Sequence, residues 1–252
     1  MKENKYDDPV FFGQYKQMSR SSGGLAAAGE WHQFRKMLPD FTNKRVLDLG
    51  CGFGWHCIYA ADHGAASVVG IDISEKMLET AREKTGTRKI TYINTAIEDA
   101  EFEPDSFDIV LSSLAFHYIP AFENVCARVY SWLEESGVFV FSAEHPVFTA
   151  YGSQDWIYGP DGAILHWPVD NYFSEGPRDA VFLGEHITKY HRTLTAYLHT
   201  LISNGFIITD FVEAEPSSDM LEADPAMKDE LRRPMMILVS AVKGPERQKN
   251  KA

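Results

Sequence analysis

The feature that most constrains this chain is Val46-Leu-Asp-Leu-Gly-Cys-Gly-Phe-Gly54, a short apolar run breaking into three glycines on alternate positions. A run of this length reads as a buried strand, and helical spacing follows it at Trp55–His63. Gly50 and Gly52 lack a Cβ, so a ligand can approach the backbone closely at the carboxyl edge of a sheet. The following helix points its N-terminal N–H groups at the same place. Twenty residues beyond Gly52, in Gly70-Ile-Asp-Ile73, stands Asp72. A carboxylate there can accept hydrogen bonds from both hydroxyls of a ribose.

A dinucleotide site asks for a third glycine in the pattern G-x-G-x-x-G. Counted from Gly50 that glycine falls on Trp55, and counted from Gly52 it falls on Cys57. A large side chain there keeps the helix away from a pyrophosphate, which argues against a nicotinamide cofactor. An NAD(P)-dependent reductase and a glycine turn that binds nothing stay open as alternatives.

The rest of the chain alternates in the same style. Ser67–Ile71, Lys89–Ile93, Phe107–Leu111 and Val138–Phe141 read as strands, with Lys44–Leu49 before them. Between them, Ser74 is suited to cap a helix over Glu75–Lys84, Pro104-Asp105-Ser106 supplies a turn, and Ala121–Leu133 reads as helix. Upstream, Arg20-Ser-Ser-Gly-Gly24 leads into an expected helix Leu25–Leu38. This alternation predicts an α/β fold: a Rossmann-like, seven-stranded, mostly parallel sheet with helices on both faces. The last two strands, Phe206–Phe211 and Met235–Val242, are expected to be antiparallel, after a helix over Thr193–Asn204. The periodicity lapses over Ala143–Arg192, rich in Trp, Tyr, Phe and His, which reads as an insertion after strand five. Glu213–Glu230 is expected to form a loop and short helix. The expected parts are an N-terminal lid (1–43), a ligand-binding core (44–142), a substrate-lid insertion (143–192), a C-terminal part of the same domain (193–243) and a disordered tail (244–252).

Composition narrows the partners. A net charge of −12 argues against a duplex nucleic acid, which asks for clustered Lys and Arg. No run approaches the roughly eighteen apolar residues of a membrane span, and MKENKYDDPV has no signal-peptide core. A cytoplasmic protein without a membrane partner, monomeric or homodimeric, is expected. Cys51, Cys57 and Cys126 lack zinc-type spacing, and neither they nor His166 and His186 form a metal pattern.

Val46–Gly54, Gly70–Ser74 and Asp105–Ser113 together resemble the motifs of class I S-adenosylmethionine-dependent methyltransferases. The resemblance runs from about Lys44 to Phe141 and is greatest to the small-molecule branch that contains the ubiquinone and menaquinone methyltransferases. Weaker similarity in Arg20–Leu38, Glu144-His-Pro146 and Lys189-Tyr-His-Arg192 suggests a bacterial subgroup of it. The resemblance implies that S-adenosylmethionine is bound and that its methyl group passes to oxygen, nitrogen or carbon of a small metabolite. It implies Asp48, Gly50 and Gly52 around the methionine part, Asp72 at the ribose, Ile73 and Met77 beside the adenine, and Cys51 and Ser112 as further cofactor contacts. Ile97 and Glu98 stand where the family contacts the adenine edge; Thr95 and Ala96 occupy the places where an acidic residue is frequent, so Glu98, Asp99 or a backbone amide must substitute. An N-terminal segment that closes over the cofactor, as in similar enzymes, would bring Tyr15 and Arg20 to the methionine carboxylate. The Asn/Asp-Pro-Pro-aromatic motif of enzymes that methylate nucleobase amines is missing from Leu111–Tyr118.

A sulfonium is an activated methyl donor, so alignment and exclusion of water are the main demands, with a base needed only for some acceptors. His117, beyond a strand end, is the first candidate base and also a candidate cofactor contact; Tyr118, His145 and His191 are further candidate catalytic residues. Glu144 and His145 form a potential proton-abstracting pair, and Arg192 a potential partner for an acidic substrate. Trp156, Tyr158, Trp167, Tyr172 and Phe173 either form the acceptor's lid or are the insertion's own small core. A non-catalytic protein that binds the cofactor as a signal is the remaining alternative.

Overall fold

The structure is a computed structural model that describes residues 4–245. The expected tail therefore lies outside the described residues from 246 onward. In chain order the helices are α1 (Pro9–Gln17), α2 (Ser19–Ser22), α3 (Trp31–Met37), α4 (Trp55–Asp62), α5 (Glu75–Thr85), α6 (Phe122–Trp132), α7 (Pro146–Thr149), α8 (Leu194–Ser203) and α9 (Ser218–Ala223). The strands are β1 (Arg45–Leu49), β2 (Ser67–Asp72), β3 (Ile90–Asn94), β4 (Phe107–Ser113), β5 (Leu133–Glu144), β6 (Ile157–Tyr158), β7 (Ile164–His166), β8 (Gly176–Phe182), β9 (Glu185–His191), β10 (Phe206–Ala214) and β11 (Met236–Lys243).

Seven strands form one sheet in the order β10-β11-β5-β4-β1-β2-β3. β1 lies between β2 and β4 and pairs parallel with both, Val46 standing opposite Val68 and Ile109. Its residues Val46–Leu49 are all buried, as expected of a parallel strand covered on both faces. On one face Phe34, Met37, Cys57, Ala60 and Leu78 of α3, α4 and α5 pack against it; on the other lie Val125, Val129 and Trp132 of α6 and Tyr197 and Leu201 of α8. The chain leaves β1 for β2 on one side and reaches β4 on the other, so a crevice opens at the carboxyl ends of these strands.

β10 and β11 pair antiparallel with each other, and within the sheet only β11 runs against the rest. β5 is longer than its apolar run implied: it begins at Leu133 and passes through Gly137, with Ser136 at positive φ and a register shift against β4. The expected helix Leu25–Leu38 is two pieces, a 3-10 turn at Gly24–Ala27 and then α3. The break falls at Ala28, which is extended, and it carries Glu30 inward toward Arg20. The insertion comprises α7 and two hairpins, β6–β7 and β8–β9. Among the described residues no helix is long and apolar enough to cross a membrane.

Candidate active site

The loop after β1 turns back on the end of β2, where the amides of Gly50 and Cys51 both donate to the Ile71 carbonyl at 2.9 Å. Gly50 has φ +72°, and a Cβ there would stand 2.7 Å from the Cβ of Ala115, so the β1 and β4 loops touch only because it is glycine. Gly52 has φ +51°, but a Cβ there would meet nothing within 4 Å, since it faces open space. That space is a cavity of about 890 Å³ along the carboxyl edge of the sheet, roofed by the N-terminal segment and the β8–β9 hairpin.

At one end of the cavity the Asp72 carboxylate accepts the Gly52 amide on Oδ2 and the Ser74 amide on Oδ1, each at 2.9 Å. Burial pushes its carboxyl up to about 6, against those two hydrogen bonds. Ile73, Met77, Ile97 and Glu98 continue the wall beyond it. The groups suit a nucleoside: a ring-accepting apolar slot, a carboxylate beside it, and a glycine that leaves room for the ligand.

Next to the glycine loop stand Tyr15 and Arg20. Arg20 pairs with Glu30 at 2.6 Å and donates to Ser113 Oγ at 3.3 Å, so it is held against the cavity. Burial raises the Glu30 carboxyl, but the guanidinium outweighs it and holds Glu30 below its ordinary value. Trp55 and Ser21 line the same region.

Two residues assigned to the cofactor by resemblance stand elsewhere. Asp48 is buried behind the loop, accepts the Cys57 thiol at 3.3 Å, and is pushed up to about 7 by burial. Ser112 donates to the Leu49 carbonyl at 2.8 Å and ties β4 to β1; strand alternation gives the cavity face to its neighbour Ser113.

The far end of the cavity collects polar groups from four segments. His117 follows β4; its Nδ1 accepts the Glu144 amide at 3.4 Å and its Nε2 lies 3.8 Å from Glu144 Oε1. Burial holds this imidazole down at about 4, so it is neutral near pH 7. Tyr118 shares a 3.2 Å hydrogen bond with Tyr6 of the N-terminal segment. Glu144, at the end of β5, accepts Lys189 at 2.5 Å and Gln154 at 2.6 Å. Burial alone would raise Glu144; His117, Lys189 and these hydrogen bonds reverse that and hold it below the ordinary value.

His145 and His191 line no part of the cavity. His145 caps α7 by accepting the Val147 amide and contacts Glu213 at 2.7 Å, so the imagined pairing with Glu144 does not form. His191 is locked between Thr149 Oγ1 (2.7 Å) and the Tyr172 carbonyl (2.8 Å). Arg192 donates to the carbonyls of Phe116, Ile119 and Tyr190 and pairs with no carboxylate among the described residues. The five aromatic residues singled out in the insertion line none of the cavity either. Trp167 stacks on Phe148 and meets Trp156 edge-on, and the Arg233 guanidinium sits 4.4 Å over Trp167. Trp156 and Trp167 thus pack within the insertion, Tyr158 and Phe173 are exposed, and Phe182, Ile187 and Phe148 face the cavity in their place.

Lys189, Gln154, Tyr6 and Phe182 escaped the sequence reading. One signal was present for Lys189: in Ile187-Thr-Lys-Tyr-His191 the lysine holds an inward position of an alternating strand, between two buried residues.

A methyltransferase domain family matches residues 47–141. A Listeria monocytogenes structure assigned to the S-adenosylmethionine dependent methyltransferases is 58% identical, with 88% of this chain and 100% of that one covered and a TM-score of 0.84. The S-adenosylmethionine dependent methyltransferase from Mesorhizobium loti is 42% identical over 87% of this chain and 100% of its own, with a TM-score of 0.81. The ubiquinone biosynthesis O-methyltransferase of Neisseria meningitidis is 38% identical over 110 residues, 41% of this chain and 45% of that enzyme. With the glycine loop, the Asp72 carboxylate and the cavity in hand, these likenesses make the chain a member of the class I S-adenosylmethionine-dependent methyltransferases, with S-adenosylmethionine as its methyl donor.

Proposed function

We propose that the chain methylates a small molecule held between the glycine loop and the cluster around Glu144. The observation that carries this reading is the continuity of one roofed cavity, from Gly52 and Asp72 to His117, Glu144 and Lys189. A roof made by the chain's own N-terminal segment and β8–β9 hairpin leaves room for a metabolite and none for a folded macromolecule. When bound, S-adenosylmethionine supplies an electrophilic methyl group on a good leaving group. Asp72 would hold the ribose, with Ile73, Met77, Ile97 and Glu98 around the adenine, and Arg20 and Tyr15 would face the methionine carboxylate.

The protein's own contribution is orientation and dryness. Phe182, Ile187, Phe148 and the Tyr6–Tyr118 pair exclude water from the acceptor's side. A neutral His117 whose Nδ1 accepts the Glu144 amide carries its proton on Nε2, so it serves to orient a polar group and is a weak base. Residues 1–43 and the β8–β9 part of residues 143–192 act as the two lids.

The test uses methyl-labelled S-adenosylmethionine and a bacterial metabolite extract with its macromolecules retained. Label is expected in species that pass a small-molecule filter; label found only in protein or RNA, or none transferred, ends this reading. His117→Ala is expected to lower turnover about tenfold while leaving S-adenosylhomocysteine affinity unchanged, as calorimetry would report.

A further inference from the structure

The acceptor's end of the cavity holds a buried ion pair. Lys189 and Glu144 side chains are only 4% and 12% exposed, and their charges stand 2.5 Å apart. Gln154 closes the ring, accepting from Lys189 at 2.7 Å and donating to Glu144 at 2.6 Å. The Lys189 ammonium also lies 5.4 Å from the centre of the Phe182 ring and 5.9 Å from that of Tyr118.

Such a pair does little for stability, because desolvating both charges offsets most of their attraction, and apolar residues of the same size would hold β9 to β5 as well. Its place in the wall of a binding cavity is what needs an explanation. Among the described residues the other cations lining the cavity also have carboxylates, Lys5 at the rim with Glu185 and Arg20 with Glu30, while Arg192 lies behind the wall, turned onto the carbonyls of Phe116, Ile119 and Tyr190. An anionic acceptor would have to approach Glu144 with no unpaired cation among the described residues that line the cavity. A cationic one would have to compete with Lys189 for the same carboxylate. An uncharged molecule with an apolar body fits the aromatic walls, and its O–H or N–H can donate to the lone pairs that Glu144 keeps.

We propose that the Glu144–Lys189–Gln154 cluster is a charge-balanced specificity element that selects an uncharged, hydrogen-donating acceptor with an apolar body and rejects anions and cations. This rests on the small-molecule reading above. The balance gives each member of the pair a distinct, opposite consequence when it is removed. Without the carboxylate, Lys189 is an uncompensated cation that welcomes an anion; without the ammonium, Glu144 welcomes a cation.

The experiment measures binding to the protein saturated with S-adenosylhomocysteine, using three probes of one shape: p-cresol, p-toluate and p-methylbenzylammonium. In the native protein p-cresol is expected to bind at least about tenfold more tightly than either ion. Glu144→Gln should raise p-toluate above p-cresol, and Lys189→Met should raise p-methylbenzylammonium above it. An ion binding the native protein as well as p-cresol does, no binding of p-cresol, or variants that keep the native ranking would overturn the proposal. Should Glu144→Gln fail to fold, Lys189→Met decides alone, since a purely structural lysine predicts no new preference for a cation. Calorimetry with S-adenosylhomocysteine on each variant separates this outcome from a failure of the cofactor site, and label transfer to metabolites stands independent of the three probes.

Discussion

The Asp72 carboxylate accepts two backbone amides, and burial still holds its carboxyl up at about 6. Ribose hydroxyls are better held by the ionised form, which offers more acceptor lone pairs. Cofactor affinity is therefore expected to fall as the pH drops through about 6. Asp72→Asn should weaken S-adenosylhomocysteine about tenfold to a hundredfold at pH 7.5, the weight of charged hydrogen bonds of about 1.5–3 kcal/mol. The same substitution should flatten the affinity between pH 7 and 5; calorimetry at both ends checks it, and an unchanged slope would mean another group titrates. Asp72 was legible in the sequence because spacing from a glycine loop places a carboxylate at a strand end. Ser112 was mistaken for its neighbour because a strand's alternation fixes which residue faces the ligand only once the register is known. The cluster at Glu144 was hidden for a different reason: alternation in β9 marks Lys189 as inward, but its partner lies 45 residues away, and Gln154 sits in a stretch without regular period.

At the level of elements, the N-terminal segment is fastened to the start of α5. Ser74, which caps that helix through its Oγ, also donates to Asp7 at 2.6 Å, and Lys76 reaches the Asp7 carbonyl at 2.6 Å. The loop bearing Asp72 and the roof over the cavity thus share one anchor. If residues 1–43 form a lid, Asp7→Ala should speed release of S-adenosylhomocysteine about fivefold, the effect of losing roughly 1 kcal/mol of hydrogen bonding. Stopped-flow displacement measures it, and an unaltered release rate would leave the segment a fixed wall. The helix and strand framework followed from apolar periodicity, since β1 is a continuous buried run after Arg45 and β2 and β4 are mostly buried between the helices of both faces. The N-terminal helix was misjudged because its spacing runs smoothly through Ala28-Gly-Glu30, where Glu30 leaves solvent for Arg20. A buried ion pair overrode local propensity there.

At the scale of the whole molecule, acid acts on buried groups that pull in opposite directions. His56 and His117 are held down at about 4 by burial, so in the unfolded chain they bind protons first as the pH falls below about 6.5, and stability declines toward pH 4. Asp48 and Asp72 are pushed up to about 7 and about 6, so here the folded chain binds protons first, and stability rises over much the same interval. His145 and His191, held down by burial, and Glu30 and Glu144, held below their ordinary value by their ion pairs and hydrogen bonds, all add to the loss, so the cofactor-free protein is expected to melt at a lower temperature at pH 5 than at pH 7. Removing one histidine removes its share of that loss. His117→Asn should gain on the native protein as the pH is lowered, by up to about 1.4 kcal/mol per pH unit and about 1–3 kcal/mol between pH 7 and 5. Denaturant unfolding of both proteins at several pH values measures the difference directly. A difference independent of pH would show that His117 is protonated alike in the folded and unfolded chains, and would withdraw the neutral imidazole from the acceptor's end of the cavity.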